Sequence, residues 1–366
     1  MAPPAKAAPD GQAVALVAPR SVELGGIERE LDRLWKEAGG AGDSAVLRAC
    51  ALNLVVWSKG GESVDQLAQE VGPITAQNPC RTILLSVDPD SAAPLSASIS
   101  AYCQLPARDR RQVCCEQILI ASGRDGIDDL SALVLGLLIP DLPSFLWWRG
   151  EPPGAADPFG ALAEACDRLL FDSAQFAAPK AGLIQLAELA RAEGAPRLGD
   201  LHWARLEPWR QLIAQAFDRP ERLDSLRQLE RVEIACAEPP SAGALLLGGW
   251  LASRLGKRLR LGEQAAQRSE DLILRLRREK GGQATPSGLL EVRLTCRAQS
   301  SLLLQRHGGS AARIRFSTGA KETAERPVAL EEPDQERVVG SELERIERDP
   351  VYEAALQAAA EALQPR

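Results

Sequence analysis

The stretch LSASISAYCQ, residues 95–104, alternates throughout: Leu95, Ala97, Ile99, Ala101 and Cys103 face one way, and Ser96, Ser98, Ser100 and Tyr102 the other. A period of two is the mark of a half-buried strand. Working outward from it, Ala51–Trp57 and Thr82–Val87 are apolar runs that read as strands, the second closed by the turn Asp88-Pro89-Asp90. Gln112–Ile120 is another strand and sets Cys114 and Cys115 on opposite faces, and Ser144–Trp148 is a strand with a proline-rich exit. Between them the period changes. Leu24, Ile27, Leu31, Leu34 and Trp35 recur at helical spacing within Val22–Ala38, Ser63–Val71 reads as a short helix stopped by Gly72-Pro73, and Asp128–Leu138 as a helix ending before Pro140.

The second half mixes elements in the same way. Helices are expected at Pro158–Leu169, Lys180–Glu193, Pro208–Phe217 and, opened by Pro239-Pro240-Ser241, up to Leu255. Arg231–Cys236 reads as a strand. Leu272–Arg278, Leu289–Cys296, Leu302–His307 and Ala312–Phe316 alternate, and their short links predict an antiparallel meander. Lys321–Arg337 is charged and reads as a loop, followed by a helix at Val351–Leu363. The fold class is therefore α+β (mixed α/β), with two domains, each a mostly antiparallel or mixed sheet packed with helices. The expected divisions are a disordered tail at 1–20, an N-terminal domain at 21–175, a C-terminal domain at 176–320, and a charged loop with a terminal helix at 321–366.

Bulk properties narrow the function. The 366 residues, 45% hydrophobic and 25% charged, suit a soluble chain with a full core. A net charge of −7 argues against nucleic acid as the partner. The apolar runs Leu130–Leu138 and Leu245–Ala252 fall short of a membrane span, and Ala13–Ala18 is too short for a signal-peptide core, so a cytoplasmic protein with an uncleaved tail is expected. The eight cysteines include no CxxC pair and lie mostly in apolar patterns, which suits small buried hydrophobes. Cys114 and Cys115 are the redox candidates among them.

Signatures of catalysis are missing. The chain has no GxGxxG, no P-loop, no GxSxG elbow and no HExxH. Only His202 and His307 could serve as imidazole bases or ligands. No catalytic residue, cofactor site or metal site is assigned; a carboxylate-only enzyme is the remaining catalytic alternative. If the apolar residues of the meander face the core, Arg275, Arg277, Arg293, Arg313 and Arg315 share its outer face. They form either a solvated sheet face or a site for an anion or acidic partner.

The tryptophan-bearing segments are the most distinctive: PDLPSFLWWRG (140–150), DRLLFDS (167–173), DLHWARLEPWR (200–210) and GWLASRLG (249–256). Adjacent residues in a strand point oppositely, so one of Trp147 and Trp148 can be core while the other is presented. Tryptophan and arginine dominate binding hot spots and can stack on each other. The candidate partner interface is therefore Trp147, Trp148, Arg149, His202, Trp203, Arg205, Trp209 and Arg210.

At these segments, and more weakly at RTILLSVDP (81–89) and CEQILI (115–120), the chain resembles the OpcA family, the glucose-6-phosphate dehydrogenase assembly proteins of cyanobacteria and actinobacteria. The likeness covers about residues 45–320. It implies a non-catalytic assembly factor and allosteric activator that binds the glucose-6-phosphate dehydrogenase oligomer and serves the oxidative pentose phosphate pathway, without a cofactor, a membrane or nucleic acid. It also implies that thiol redox state tunes the effect in cyanobacterial relatives. The alternative from the residues alone is a sugar-phosphate sensor using the arginine face.

Overall fold

The computed structural model describes residues 13–40, 46–60, 62–104, 112–154, 159–192, 194–237, 241–262, 268–279, 285–297, 300–319, 321–322 and 324–364. The chain forms an α+β fold in two units, Met1–Leu170 with Val339–Glu347, and Phe171–Val338 with Arg348–Arg366. The division thus falls earlier than residue 175, and residues 321–366 are shared between the units instead of standing apart.

The first unit is built on five parallel strands. In sheet order they are Gln112–Gly123, Cys80–Asp88, Leu52–Lys59, Ser144–Trp148 and Arg168–Phe171. The chain starts in the middle at Leu52–Lys59, winds to one side, then returns to wind to the other. This is a doubly wound sheet whose order reverses between Leu52–Lys59 and Ser144–Trp148. Near-continuous burial of those strands follows from coverage on both faces. Ser96–Gln104 adds antiparallel to Gln112–Gly123, making the sheet mixed.

Three elements differ from expectation. The tail placed at 1–20 holds a strand, Ala13–Val22, antiparallel to Ser96–Gln104; residues 1–12 lie outside the described residues. Pro19 sits where the register slips between Val17 and Arg20, so the edge tolerates a residue with no amide to donate. The helix expected over 158–169 stops at Glu164, and Arg168–Phe171 is a strand. Asp167 causes the switch: its amide donates to the Ser144 carbonyl at 2.7 Å, and its carboxylate accepts from the Ser144 amide at 2.9 Å, drawing the chain into the sheet. The helix after Leu52–Lys59 runs from Val64 to Gln77 and carries Pro73 inside it, past the expected stop.

The second unit holds an eight-stranded sheet in the order Arg258–Leu261, Asp271–Arg278, Leu229–Cys236, Leu289–Cys296, Ser300–Arg306, Ala311–Thr318 and Lys321–Glu322, with Arg326–Ala329 also on Ala311–Thr318. The meander is real for 289–318. Asp271–Arg278 is not part of it, because Leu229–Cys236 lies between and pairs parallel with Asp271–Arg278. The helix Ala242–Arg254 leads from Leu229–Cys236 to Arg258–Leu261, and Asp271–Arg278 inserts between those two strands; Pro239-Pro240, expected to open the helix, lie outside the described residues. Part of the expected loop is a helix, Gln335–Leu343.

Ala242–Arg254 is buried along nearly its whole length and packs on the terminal helix Pro350–Leu363. Gly249 sets their separation: a Cβ there would stand 2.1 Å from the Ala355 carbonyl oxygen. Backbone cannot swing aside as a side chain can. Gly249→Ala should therefore cost about 1–3 kcal/mol by overpacking, read as a lowered urea midpoint. An unchanged midpoint would show that the seam is slack. Among the described residues no helix is long and apolar enough to cross a membrane.

Candidate functional site

In a doubly wound sheet, ligands settle outside the carboxyl ends of the strands where the order reverses. In the first unit that place lies beyond Trp57-Ser58-Lys59 and Trp147-Trp148-Arg149, and among the described residues the protein's own side chains interact with one another there. Trp57 and Trp148 are register partners and stack with ring centroids 4.7 Å apart and planes 7° apart. Arg149 reaches Glu62 at 3.2 Å and Glu70 at 3.0 Å, and lies over the Trp147 ring at 5.4 Å. Ser58 donates to the Glu62 carboxylate at 2.7 Å, and Ser86 donates to the Glu62 carbonyl. The next helix begins with a capping box, Ser63 and Gln66 satisfying each other's amides. A turn that cradles phosphate needs open amides and no carboxylate. Here the amide of Gln66 is taken by Ser63, and Glu62 supplies negative charge.

Trp147 and Trp148 are therefore both core, at 0% and 2% exposure. The expectation that one is presented is corrected: their strand lies inside the sheet, and both faces are covered. Arg149 is half-buried and committed to Glu62 and Glu70.

The second motif segment is likewise mostly buried, with Arg210 half-buried. Asp200 ends the strand Arg197–Asp200 and caps the helix Leu201–Arg205 by accepting from the His202 amide at 2.9 Å and the Ser173 amide at 3.1 Å. Tyr352 donates to its other oxygen at 3.5 Å. Burial pushes the Asp200 carboxyl above its ordinary range, against the pull of His202 and the Ser173 amide. His202 bonds through Nδ1 to Ser173 Oγ at 3.3 Å and through Nε2 to the Ser287 carbonyl at 3.0 Å. With both ring nitrogens engaged and 3% exposure, it is a structural brace. Arg205 grips Asp172 with two bonds, of 2.7 and 2.9 Å, and also donates to Gln335. Trp203 donates to Asp349 at 3.1 Å, and Arg210 lies 3.6 Å over its ring. Trp209 donates to Glu332 at 2.7 Å, and Glu332 also takes Ser287 and Arg306.

The interface expected at His202, Trp203, Arg205, Trp209 and Arg210 is thus corrected to a core network. The indole–guanidinium stack exists, but it is internal. Asp172 and Asp200, unremarked in the sequence, orient it. Their signal was an acid closing an apolar strand.

The arginines of the outer sheet face do share one side. Register sets Arg275, Glu233 and Arg293 in one row and Glu291 and Gln305 between Arg277 and Arg313 in the next. Glutamates interleave them. Arg275 pairs with Glu233 at 3.2 Å, Arg277 with Glu291 at 2.8 Å and Glu279 at 2.6 Å, Arg293 with Glu291 at 3.6 Å, and Arg313 with Glu325 at 3.3 Å. Arg315 lies half-buried on the same face. Such a surface is a salt-laced, soluble sheet face more than an open anion site.

Of the thiol pair, Cys114 is disulfide-bonded and the ladder sets Cys103 opposite it, while Cys115 is free. The adjacent thiols are not bonded to each other. Cys115 donates to the Thr75 carbonyl at 3.3 Å, and burial pushes its thiol up. Cys166 and Cys296 are each pushed up to about 12, mainly by burial. Poorly ionised thiols are poor nucleophiles. Among the described residues no cluster of His, Cys, Asp and Glu could hold a metal.

Buried polar groups concentrate at the opposite, amino-terminal edge of the first sheet, which sequence reasoning passed over. Arg81 lies between Glu116 and Glu28, each at 2.5 Å. Asn53, fully buried, donates to the Ile139 carbonyl at 3.0 Å and accepts from the Ile139 amide at 2.9 Å. Arg168 pairs with Glu342 at 2.5 Å, both buried.

Together the fold and these sites define a two-unit α+β protein whose first unit carries a doubly wound sheet. Family comparison makes the class particular. Residues 72–188 match the glucose-6-phosphate dehydrogenase subunit N-terminal domain (OpcA), and residues 196–356 match its C-terminal domain, so the chain belongs to the OpcA family of glucose-6-phosphate dehydrogenase assembly proteins. It is 36% identical over 184 residues to an OxPP cycle protein OpcA of Synechococcus elongatus, covering 50% of this chain and 41% of that one. It is 38% identical over 183 residues to the protein of the same name from Nostoc punctiforme, covering 50% and 39%. The match thus spans less than half the length of these relatives. Among solved structures, a dehydrogenase (MviM) from Clostridium difficile aligns with a TM-score of 0.38 and 10% identity, covering 85% of this chain and 97% of that one. An oxidoreductase from Sinorhizobium meliloti aligns at 0.37 and 12%, covering 86% and 88%.

Proposed function

We propose that this chain is a non-catalytic, cytoplasmic assembly factor and allosteric activator that binds the glucose-6-phosphate dehydrogenase oligomer. Family membership supports the partner. The observation that supports the non-catalytic part is that, among the described residues, Arg149 and Glu62 pair with each other at the edge where a doubly wound enzyme seats its nucleotide, beside the Trp57–Trp148 stack, so a carboxylate stands where phosphate would sit. Activation then works by differential affinity. The chain shifts the dehydrogenase toward its active conformer only as far as it binds that conformer more tightly.

The test is co-purification with the dehydrogenase of the same organism, then activity assays with and without this chain. A tenfold tighter affinity for the active conformer than for the inactive one corresponds to roughly 1.4 kcal/mol of coupling. Stable association with increased dehydrogenase rate is expected, with no turnover by this chain alone. Turnover by the isolated chain would overturn the non-catalytic reading, and no association would overturn the partner. Calorimetry with glucose 6-phosphate addresses the sensor alternative. Because glutamates already engage Arg275, Arg277, Arg293 and Arg313, no binding heat is expected.

A further inference from the structure

We infer that the apolar surface running from Ala132 through Pro143 is where this chain docks, and that its occupant is an apolar patch of the dehydrogenase rimmed by lysine and arginine. The inference rests on the partner proposed above and supplies its docking face, which the buried tryptophans do not. Three observations converge on it.

First, the surface is apolar and open. Leu135 is 43% exposed. Ala132, Gly136 and Pro140 are exposed beside it, and Leu133, Leu138, Ile139 and Leu142 are half-buried at its margin. Ala132, Leu135 and Gly136 fall three and four apart on one face of the helix Ile127–Leu137. Scattered apolar residues are ordinary on a surface, but a continuous run of this kind marks an interaction site.

Second, the surface is held rigid from beneath. Asn53 clamps both backbone groups of Ile139, and its own amide donates to the Pro143 carbonyl at 2.8 Å. Ser144 donates to the Leu142 carbonyl at 3.3 Å, and Arg81 donates to the Leu137 carbonyl at 2.7 Å. Asp141 adopts a left-handed conformation, φ 64°, at the tip. Buried polar groups therefore hold the backbone while Leu135 faces outward. Preorganisation of this kind lowers the ordering cost of binding.

Third, the rim is acidic. Asp125, Asp128, Asp129 and Asp141 are exposed around the patch, and Arg124 pairs with Asp125 at 3.7 Å. A basic-rimmed partner is favoured, and an acidic one is repelled.

The test uses the full chain and the dehydrogenase of the same organism in surface plasmon resonance, with Leu135→Asp and the helix-compatible Leu135→Gln. Both variants should bind at least about tenfold more weakly than the unaltered chain, with unchanged circular dichroism. Asp128→Lys with Asp129→Lys should slow association. If the unaltered chain binds and the folded Leu135 variants weaken it by less than about tenfold, the docking face lies elsewhere. Should Leu135→Asp fail to fold, Leu135→Gln decides alone. Failure of the unaltered chain to bind would instead remove the proposed partner, and this inference with it. If Leu135→Asp disperses a self-associated form of this chain while dehydrogenase binding persists, the occupant is a second copy and the inference is overturned.

Discussion

Replacing Arg81 with alanine is expected to destabilise the first unit by about 3–5 kcal/mol, the cost of stranding a buried charge. Arg81 is 4% exposed and Glu116 is fully buried. Burial alone would lower the pKa of the guanidinium, but hydrogen bonds to Glu28 and the field of Glu116 outweigh it and hold the pKa above its ordinary value. Without the guanidinium, Glu116 keeps the Trp35 indole at 2.9 Å but loses its counter-charge. The Leu137 carbonyl loses its donor as well, loosening the helix end that carries the apolar surface. Urea unfolding monitored by circular dichroism reads the cost. Arg81→Met combined with Glu116→Leu should recover part of it, since an apolar pair replaces the buried ion pair while the Trp35 indole and the Leu137 carbonyl still lose their partners. A cost under about 1 kcal/mol for Arg81→Ala would place the pair with ordinary surface ion pairs and sink the argument.

Trp148→Ala is expected to cost a similar amount, about 3–5 kcal/mol, for deletion of a buried aromatic side chain. For a unit of this size that lowers the midpoint by roughly 2–4 °C per kcal/mol. The loss exceeds simple burial because Trp148 stacks on Trp57 and donates to the Glu151 carbonyl at 2.9 Å. Trp57→Ala with Trp148→Ala should therefore cost less than the sum of the singles, by about 0.5–1.5 kcal/mol for the aromatic contact. Strict additivity would mean that the rings pack independently. Differential scanning calorimetry with a double-mutant cycle separates these outcomes.

Much of the architecture was legible because it rests on local periodicity. The alternation at 95–104 and the runs at 51–57 and 82–87 are strands within a residue or two of where the pattern placed them. Parallel pairing was not legible. Leu229–Cys236 beside Asp271–Arg278 is a choice among distant partners, which a short link cannot announce. The site failed differently. A Trp-Trp-Arg run looks the same whether it grips a neighbour or fills a core, and only the covering of both sheet faces decides. The informative signal lay in residues that seemed out of place. Asn53, Arg81 and Asp172 each interrupt or close an apolar strand, and each is buried with a partner far away in sequence. The proposed docking surface was missed because leucines at helical spacing read as core, and nothing local says that Leu135 is exposed.

The Arg168–Glu342 pair has a consequence for synthesis. The two residues are 174 positions apart, and both belong to the first unit. While the ribosome is still translating the second unit, the nascent first unit has a buried guanidinium with no carboxylate to meet it. The first unit therefore reaches full stability only after residues 171–338 have been made and Glu342 has emerged, and any chaperone that shields it must hold on through that interval.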